Sequence, residues 1–311
     1  MNGAPEVQVE ALGRRFGHVV AVNDLAFTVD RGELFGLLGP DGAGKTTTLR
    51  MLAGVLRPTA GDALINGISV VRDPEATKRQ IAYMSQRFGL YGDLTVLENL
   101  AFYADLYQVP RQERAARMER LFHFSNLGPF KDRLAGKLSG GMKQKLGLSC
   151  ALIHQPELLL LDEPTFGVDP ISRRDLWLIV HDMVAQGVTV VVSTAYMDEA
   201  ERFDRLAILH QGRLLALDRP TVLQQALEGE VLSLQVDRPR AARDLAIRLP
   251  AVRRAAVFGD RLHVTLRTAS QGAGGLLAAL ASGGVTVVGS EPVTPSMEDV
   301  FIALVAERSA A

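Results

Sequence analysis

Gly39-Pro40-Asp41-Gly42-Ala43-Gly44-Lys45-Thr46 sets a glycine, four residues, a second glycine, a lysine and a hydroxyl residue in one short stretch, followed by Thr47. That spacing suits a phosphate cradle. Glycines let backbone N–H groups turn inward around phosphate oxygens, and a helix beginning at Lys45 aims the positive end of its dipole at them. Lys45 adds a full charge near the β and γ groups of a nucleoside triphosphate, and Thr46 offers a hydroxyl to Mg2+. Farther on, Leu158-Leu159-Leu160-Leu161-Asp162-Glu163 reads as a buried strand ending in two carboxylates. They fall at the carboxyl edge of a sheet, where α/β folds bind ligands. Asp162 is placed to hold Mg2+ through water, and Glu163 to act as general base on an attacking water. A glycine turn or a solvated strand end would explain either string alone; together they favour a site for MgATP.

Leu138-Ser139-Gly140-Gly141-Met142 opens another helix, and a serine before two glycines makes a second anion-binding helix start. One nucleotide has no need of two cradles. Ser139, Gly140 and Gly141 make sense if they cover the γ-phosphate of ATP held by a different subunit.

The elements that must position these residues follow from hydrophobic period and turn residues. VQVEAL and LAFTVD read as strands separated by a turn at Gly17, and ELFGLLG as the strand that feeds the phosphate loop and a helix from Lys45 to about Val55. Thr95 and Glu98 have capping-box spacing, and Leu97, Leu100, Ala101 and Ala104 recur on one helical face, so residues 95–125 form an inserted helical region. Helices follow Ser139 and run from Ile171 to Gln186, with the apolar strands LLLL and VTVVV between them; strands bracketed by helices imply a parallel sheet. Residues 206–217 read as a hairpin turning at Gln211-Gly212, and Pro220 opens a short helix ending near Gly229. Beyond it the order strand, helix, strand, strand, helix, strand, with a last helix after Ser296, is βαββαβ, the ferredoxin-like order.

The expected architecture is therefore α/β: a P-loop cassette over residues 1–229, with its helical subdomain at about 87–155, then a small α+β domain over 230–311 with a C-terminal helix. Length fits this division, since 311 residues suit one large domain and one small one. Hydrophobic residues at 47% and charged ones at 22% leave ample material for a packed core. A formal net charge of -1 gives no general attraction to nucleic acid, which is not an expected partner. Cys150, the single cysteine, excludes an internal disulfide and a multi-thiolate metal site and reads as packing. The opening MNGAPEVQVE lacks the charged and apolar regions of a secretory signal. No run approaches the roughly 18 apolar residues that span a bilayer. The expectation is a cytoplasmic protein whose membrane role is peripheral.

LSGGM between a phosphate loop and a strand ending in Asp162-Glu163 resembles the signature of the ATP-binding-cassette (ABC) family, and the resemblance extends over about residues 6–228. It implies that Phe16, in RRFG, stacks on adenine. Gln86, in YMSQRFGLY, would reach Mg2+ or the lytic water at the junction to the helical subdomain. Asp169, in GVDP, would lie on the loop that crosses the dimer interface. Two subunits would sandwich two ATP molecules, each site joining Lys45, Thr46, Gln86, Asp162 and Glu163 of one chain to Ser139 and Gly141 of the other. GLYGDLTVLENL, STAYMDEAE and PSMEDVFIAL are most similar to ATPase subunits of drug and antibiotic exporters with ABC-2-type permeases. The implied partners are a separate transmembrane permease and a second ATPase subunit, the same chain or another, on the inner face of the cell membrane. Ribosome-acting members of the family resemble two cassettes joined by a basic linker, which this sequence does not match.

The chain departs from the family pattern where a switch histidine is usual, in a string resembling STHYMDEA; here Ser193-Thr194-Ala195-Tyr196 puts alanine in its place. Loss of one preorganised hydrogen-bond donor to the γ-phosphate typically costs about 10²–10³ in rate. A slow natural variant, a substituted chain and the weak half of an asymmetric pair all fit, as does an ATP-gated binding subunit with negligible hydrolysis. Asp41, where asparagine is common, would weaken triphosphate binding slightly unless it points outward, and Met142 stands where glutamine is common.

Overall fold

The computed structural model describes residues 6–86, 89–267 and 269–310. The expected start of the helical subdomain at residue 87 lies outside the described residues. The chain divides between Leu217 and Asp218 into two compact units, earlier than the boundary at 229 that the turn residues suggest.

The first unit opens with β1 (Val7–Phe16) and β2 (Val19–Val29), an antiparallel pair turning at Gly17. Then β3 (Leu34–Leu38) leads to α1 (Lys45–Leu52), which stops short of Val55. Three elements with weaker patterns follow: β4 (Ala60–Ile65), β5 (Ile68–Ser69) and α2 (Pro74–Lys78), and after them β6 (Ile81–Met84). The helical region is α3 (Val96–Leu106), α4 (Arg111–Ser125) and α5 (Gly140–Leu152). Pro110, the N-cap of α4, divides the first two, because proline cannot continue a helix through its missing N–H. The unit closes with β7 (Leu158–Asp162), α6 (Pro170–Ala185), β8 (Thr189–Thr194), β9 (Arg205–His210) and β10 (Arg213–Asp218).

Two sheets result. The antiparallel one has the order β2-β1-β4-β5; the other runs β10-β9-β3-β8-β7-β6, with β9, β3, β8, β7 and β6 parallel. Every residue of β3, β7 and β8 is buried, as expected of parallel strands covered on both faces. The core joins Leu12, Leu25 and Phe27 of the antiparallel sheet to Phe35, Leu37 and Leu158 of the parallel one, with the Phe27 and Phe35 rings stacked at 5.4 Å. Leu49 and Leu52 of α1 are fully buried in that cluster, each contributing about 1.5–3 kcal/mol by leaving water. The helix after the phosphate loop is thereby held between both sheets.

The capping box forms as the spacing predicts: Glu98 N donates to Thr95 Oγ1 at 3.2 Å and Thr95 N to Glu98 Oε2 at 2.7 Å. The buried face of α3 differs from expectation, consisting of Val96, Asn99, Leu100, Tyr103 and Ala104, while Leu97 is exposed. The fully buried Asn99 explains the shift, since its amide donates to the carbonyls of Tyr91, Leu94 and Thr95 and its oxygen accepts from Tyr91 N. A buried amide needs all its partners, and here the preceding loop supplies them. Cys150 is buried, and burial raises its thiol pKa, consistent with packing.

His154, just beyond α5, stacks on Tyr107 at 4.0 Å and sits 3.2 Å from the Ile81 carbonyl oxygen. Burial lowers its pKa; the Ile81 contact opposes this and Arg117 adds to it. A histidine with a folded pKa below its unfolded value of 6.5 stabilises the fold fully above that value and loses the contribution as pH falls. The unfolding midpoint should therefore decline between pH 7 and 5, with a shallower decline in His154→Phe, followed by urea titration. Parallel curves for the two proteins would refute the assignment.

In the second unit, α7 (Pro220–Gln225) precedes β11 (Glu230–Val236), α8 (Pro239–Ala246), β12 (Val252–Phe258), β13 (Arg261–Leu266), α9 (Ala269–Ser282), β14 (Val287–Val293) and α10 (Met297–Ala310). The strands form one antiparallel sheet, β12-β13-β11-β14. Its core packs Leu234, Leu262 and Val264 against Ala242, Ala246, Leu276 and Leu280. His263 of β13 meets Asp299 of α10 at 2.9 Å, tying the last helix to the sheet. Among the described residues, no helix is long and apolar enough to cross a membrane.

Candidate functional site

The phosphate-cradle residues lie where β3 hands over to α1. Gly42 and Gly44 have φ of 78° and 101°, a region open to glycine at little cost. A Cβ on Gly39 would stand 2.3 Å from the Leu209 carbonyl oxygen, and one on Gly44 2.6 Å from that of Ala21. The loop from Gly39 through Pro40, Gly42 and Ala43 to Gly44 is thus wedged against two neighbouring strands. Gly44 caps α1 without a side-chain bond, and no acidic residue stands in the first turn. Such a helix start presents its N–H groups, those at Thr46 and Thr47 among them, to an anion. Asp41 is exposed, so its charge is solvated and screened, which reduces its repulsion of a triphosphate.

Lys45, only 4% exposed, donates from Nζ to the carbonyls of Gly39 at 2.7 Å and Pro40 at 3.1 Å and stands 3.2 Å from Glu163 Oε1. Gln86 Nε2 donates to Glu163 Oε2 at 3.0 Å. Thr46 Oγ1 donates to Asp162 Oδ1 at 2.9 Å. Five residues chosen from sequence therefore meet in two adjoining hydrogen-bonded groups, joined where Asp162 and Glu163 follow one another in the chain. Thr46 and Asp162 bring two hard oxygen groups side by side, a set that fits Mg2+ with Thr46 as direct donor, Asp162 acting through water, and phosphate oxygens completing the shell.

Phe16 lies apart from the cluster at the end of β1, 46% exposed, with the Arg14 guanidinium 4.6 Å from its ring centroid. The second helix start also stands separately. Ser139 is exposed and caps α5 by accepting from Met142 N at 3.3 Å. A Cβ on Gly141 would meet Ser172 Oγ at 2.2 Å, and one on Gly140 would reach the Gly167 carbonyl oxygen at 3.8 Å. Asp169 caps α6 by accepting from Ser172 N at 3.0 Å. That backbone bond is the main cause holding its carboxyl below the usual range. Ser139, Gly140 and Asp169 are exposed and lie with the buried Gly141 where the starts of α5 and α6 meet.

Several polar residues of the site have no signal in the sequence. Tyr83 donates to Asp162 Oδ2 at 3.3 Å; burial first, and Asp162 next, push its phenol up to about 12, so it stays a donor at neutral pH. Ser193 donates to Asp162 Oδ1 at 2.7 Å and accepts from Glu163 N at 3.0 Å. Thr194 accepts from Tyr196 N at 3.0 Å and donates to the buried Glu199 at 2.6 Å, whose other oxygen accepts from Trp177 at 3.1 Å. The backbone on both sides of Ala195 is fixed by this network. Gly39 N donates to the Thr194 carbonyl at 3.3 Å, which sets residue 195 beside the start of the phosphate loop.

The family model described as ABC transporter matches residues 22–166. The probable multidrug ABC transporter ATP-binding protein YbhF of Escherichia coli (strain K12) is 42% identical over 308 residues, 98% of this chain and 52% of that protein. The chain thus spans about half the length of that relative. Nod factor export ATP-binding protein I of Burkholderia lata is 39% identical over 233 residues, 74% of this chain and 77% of the relative. A solved ATP-binding subunit of an ABC transporter is similar with a TM-score of 0.65 at 33% identity, covering 70% of this chain and 92% of the other. A dimeric post-hydrolysis ATP-binding cassette bound to ADP and Pi is similar with a TM-score of 0.63 at 26% identity, covering 68% and 98%. With the cassette fold shared with these structures and the sequence matches covering its motifs, the chain belongs to the ABC transporter family as an ATP-binding protein.

Proposed function

We propose that this chain is the ATP-hydrolysing subunit of an exporter, binding MgATP at the 39–47 loop and closing on a second ATPase subunit to drive a separate permease at the inner face of the membrane. The observation that carries the reading is the pair of anion-binding helix starts. One, at Lys45, adjoins the cluster of Thr46, Gln86, Asp162 and Glu163; the other, at Ser139, is exposed beside Asp169. A triphosphate gripped by the first start of one subunit offers its γ-phosphate to the second start of another. ATP then favours the closed pair, because a ligand shifts an equilibrium by its differential affinity for the two states.

Lys45, Thr46 and the loop N–H groups hold the triphosphate, and Thr46 and Asp162, with Gln86, hold Mg2+, which supplies charge neutralisation at the phosphates. Glu163, oriented by Gln86, takes the proton of the attacking water. Phe16 offers its ring to the adenine. Relatives named for multidrug transport and Nod factor export support organic molecules as cargo and outward movement as its direction.

The test separates the two helix starts. Lys45→Ala should lose ATP binding by isothermal calorimetry. Ser139→Arg should bind ATP normally yet fail to associate with MgATP in sedimentation with the second subunit and permease present. Association of Ser139→Arg at the wild-type level would overturn the proposal.

A further inference from the structure

We infer that Ser193 is a positioning residue for hydrolysis, its single hydroxyl setting both the Mg2+-holding Asp162 and the backbone of the general base Glu163. The inference rests on the ATPase reading given above. Ser193 is fully buried in β8. β7 and β8 run parallel with Asp162 opposite Ser193, which brings the serine to the end of the strand that carries both carboxylates.

The hydroxyl works in both directions. As donor it reaches Asp162 Oδ1 at 2.7 Å, the same oxygen that accepts from Thr46 at 2.9 Å. As acceptor it takes Glu163 N at 3.0 Å, which also points to the Ser193 carbonyl at 3.1 Å. Glu163 needs such a clamp. Its φ is +49°, a left-handed conformation that costs a non-glycine residue of order 1–3 kcal/mol and persists only where the surroundings impose it. Without the Ser193 hydroxyl, Glu163 N keeps only the Ser193 carbonyl, and the less tightly held peptide between Asp162 and Glu163 can shift toward ordinary strand geometry, which would move the Glu163 carboxylate away from Lys45 and Gln86.

Asp162 Oδ1 is the more consequential end. With Thr46 turned to a metal ion, Ser193 is the remaining donor to that oxygen among the described residues, and Tyr83 at 3.3 Å holds the other one. Outer donors of this kind orient the groups that hold a metal, and their removal typically costs 10–100-fold in metal affinity or activity. Ala195 carries only a methyl group where an imidazole would help to orient Glu163, so the serine carries more of that task here.

The experiment compares full-length wild type, Ser193→Ala, Ser193→Thr and Lys45→Ala in the assembled complex, measuring turnover against ATP and against Mg2+, with metal-free ATP binding and thermal unfolding alongside. Ser193→Ala should lower kcat about 10–100-fold and raise the Mg2+ needed for half-maximal rate about tenfold, with metal-free ATP affinity within twofold of wild type. Ser193→Thr, which keeps the hydroxyl, should recover most of both. The inference is overturned if Ser193→Ala matches wild type in kcat and Mg2+ dependence, or if metal-free ATP binding falls in step with kcat, which marks a purely structural role. Wild-type turnover in Lys45→Ala would instead overturn the reading of the site itself.

Discussion

Glu163→Gln is expected to reduce phosphate release by about 10²–10⁴-fold, the range for removing a general base, while MgATP-bound pairs of subunits accumulate. The amide keeps the shape of the carboxylate and still accepts from Gln86 Nε2, which now lies 3.0 Å from Glu163 Oε2. It cannot take a proton from water at neutral pH. Lys45 loses an ion-pair partner at 3.2 Å but keeps the Gly39 and Pro40 carbonyls, so the loop should remain formed. Removing a negative charge beside the γ-phosphate also lessens repulsion of the triphosphate. Single-turnover phosphate release and sedimentation velocity check both halves. More than a tenth of wild-type turnover in the variant would exclude Glu163 as the base.

Ala195→His is the change expected to act in the opposite direction, raising kcat by about 10²–10³-fold, the worth of one preorganised donor to a developing charge. The scaffold for such a side chain is in place. Thr194 and Tyr196 are pinned through Glu199 and Trp177, and Gly39 N is bonded to the Thr194 carbonyl. Residue 195 is neither fully buried nor fully exposed, so a larger side chain there has one side open to solvent. ATPase assays of both proteins in the assembled complex measure the effect. An unchanged kcat alongside brisk wild-type turnover would mean that Gln86 and Ser193 already suffice to orient the base.

The parts of the site legible in the sequence are those whose chemistry ties residue type to local spacing. Gly39 through Thr46 can be recognised because the loop must turn through positive φ and then begin a helix, all within one short segment. Asp162 and Glu163 stand out because charge abruptly ends an apolar run. Ser193 had no such mark. Its hydroxyl matters through strand pairing with a residue 31 positions away, and a serine at the end of a valine-rich strand reads as nothing more than a strand end. Asn99 was hidden for a related reason: the period of α3 points to Leu97 as buried, but the demand of one amide for several loop carbonyls rotates the helix to face them. The order β3-β8-β7 depends on crossovers that hydrophobic pattern does not encode, whereas the strands themselves announce their burial by being uniformly apolar. The small β4, β5 and α2 fell below the resolution of pattern alone.

The placement of α1 between the two sheets has a mechanical corollary. Leu49 and Leu52, in the second turn of α1, are rooted in the same cluster as side chains from both layers, so that helix works as a keystone. A phosphate bound at its start would be fastened to a helix whose buried side chains join both layers, so a local separation of the layers would also loosen the hold on it. Bound nucleotide should consequently resist subglobal opening as a staple would, adding to the cohesion of the unit in proportion to how far its concentration exceeds its dissociation constant.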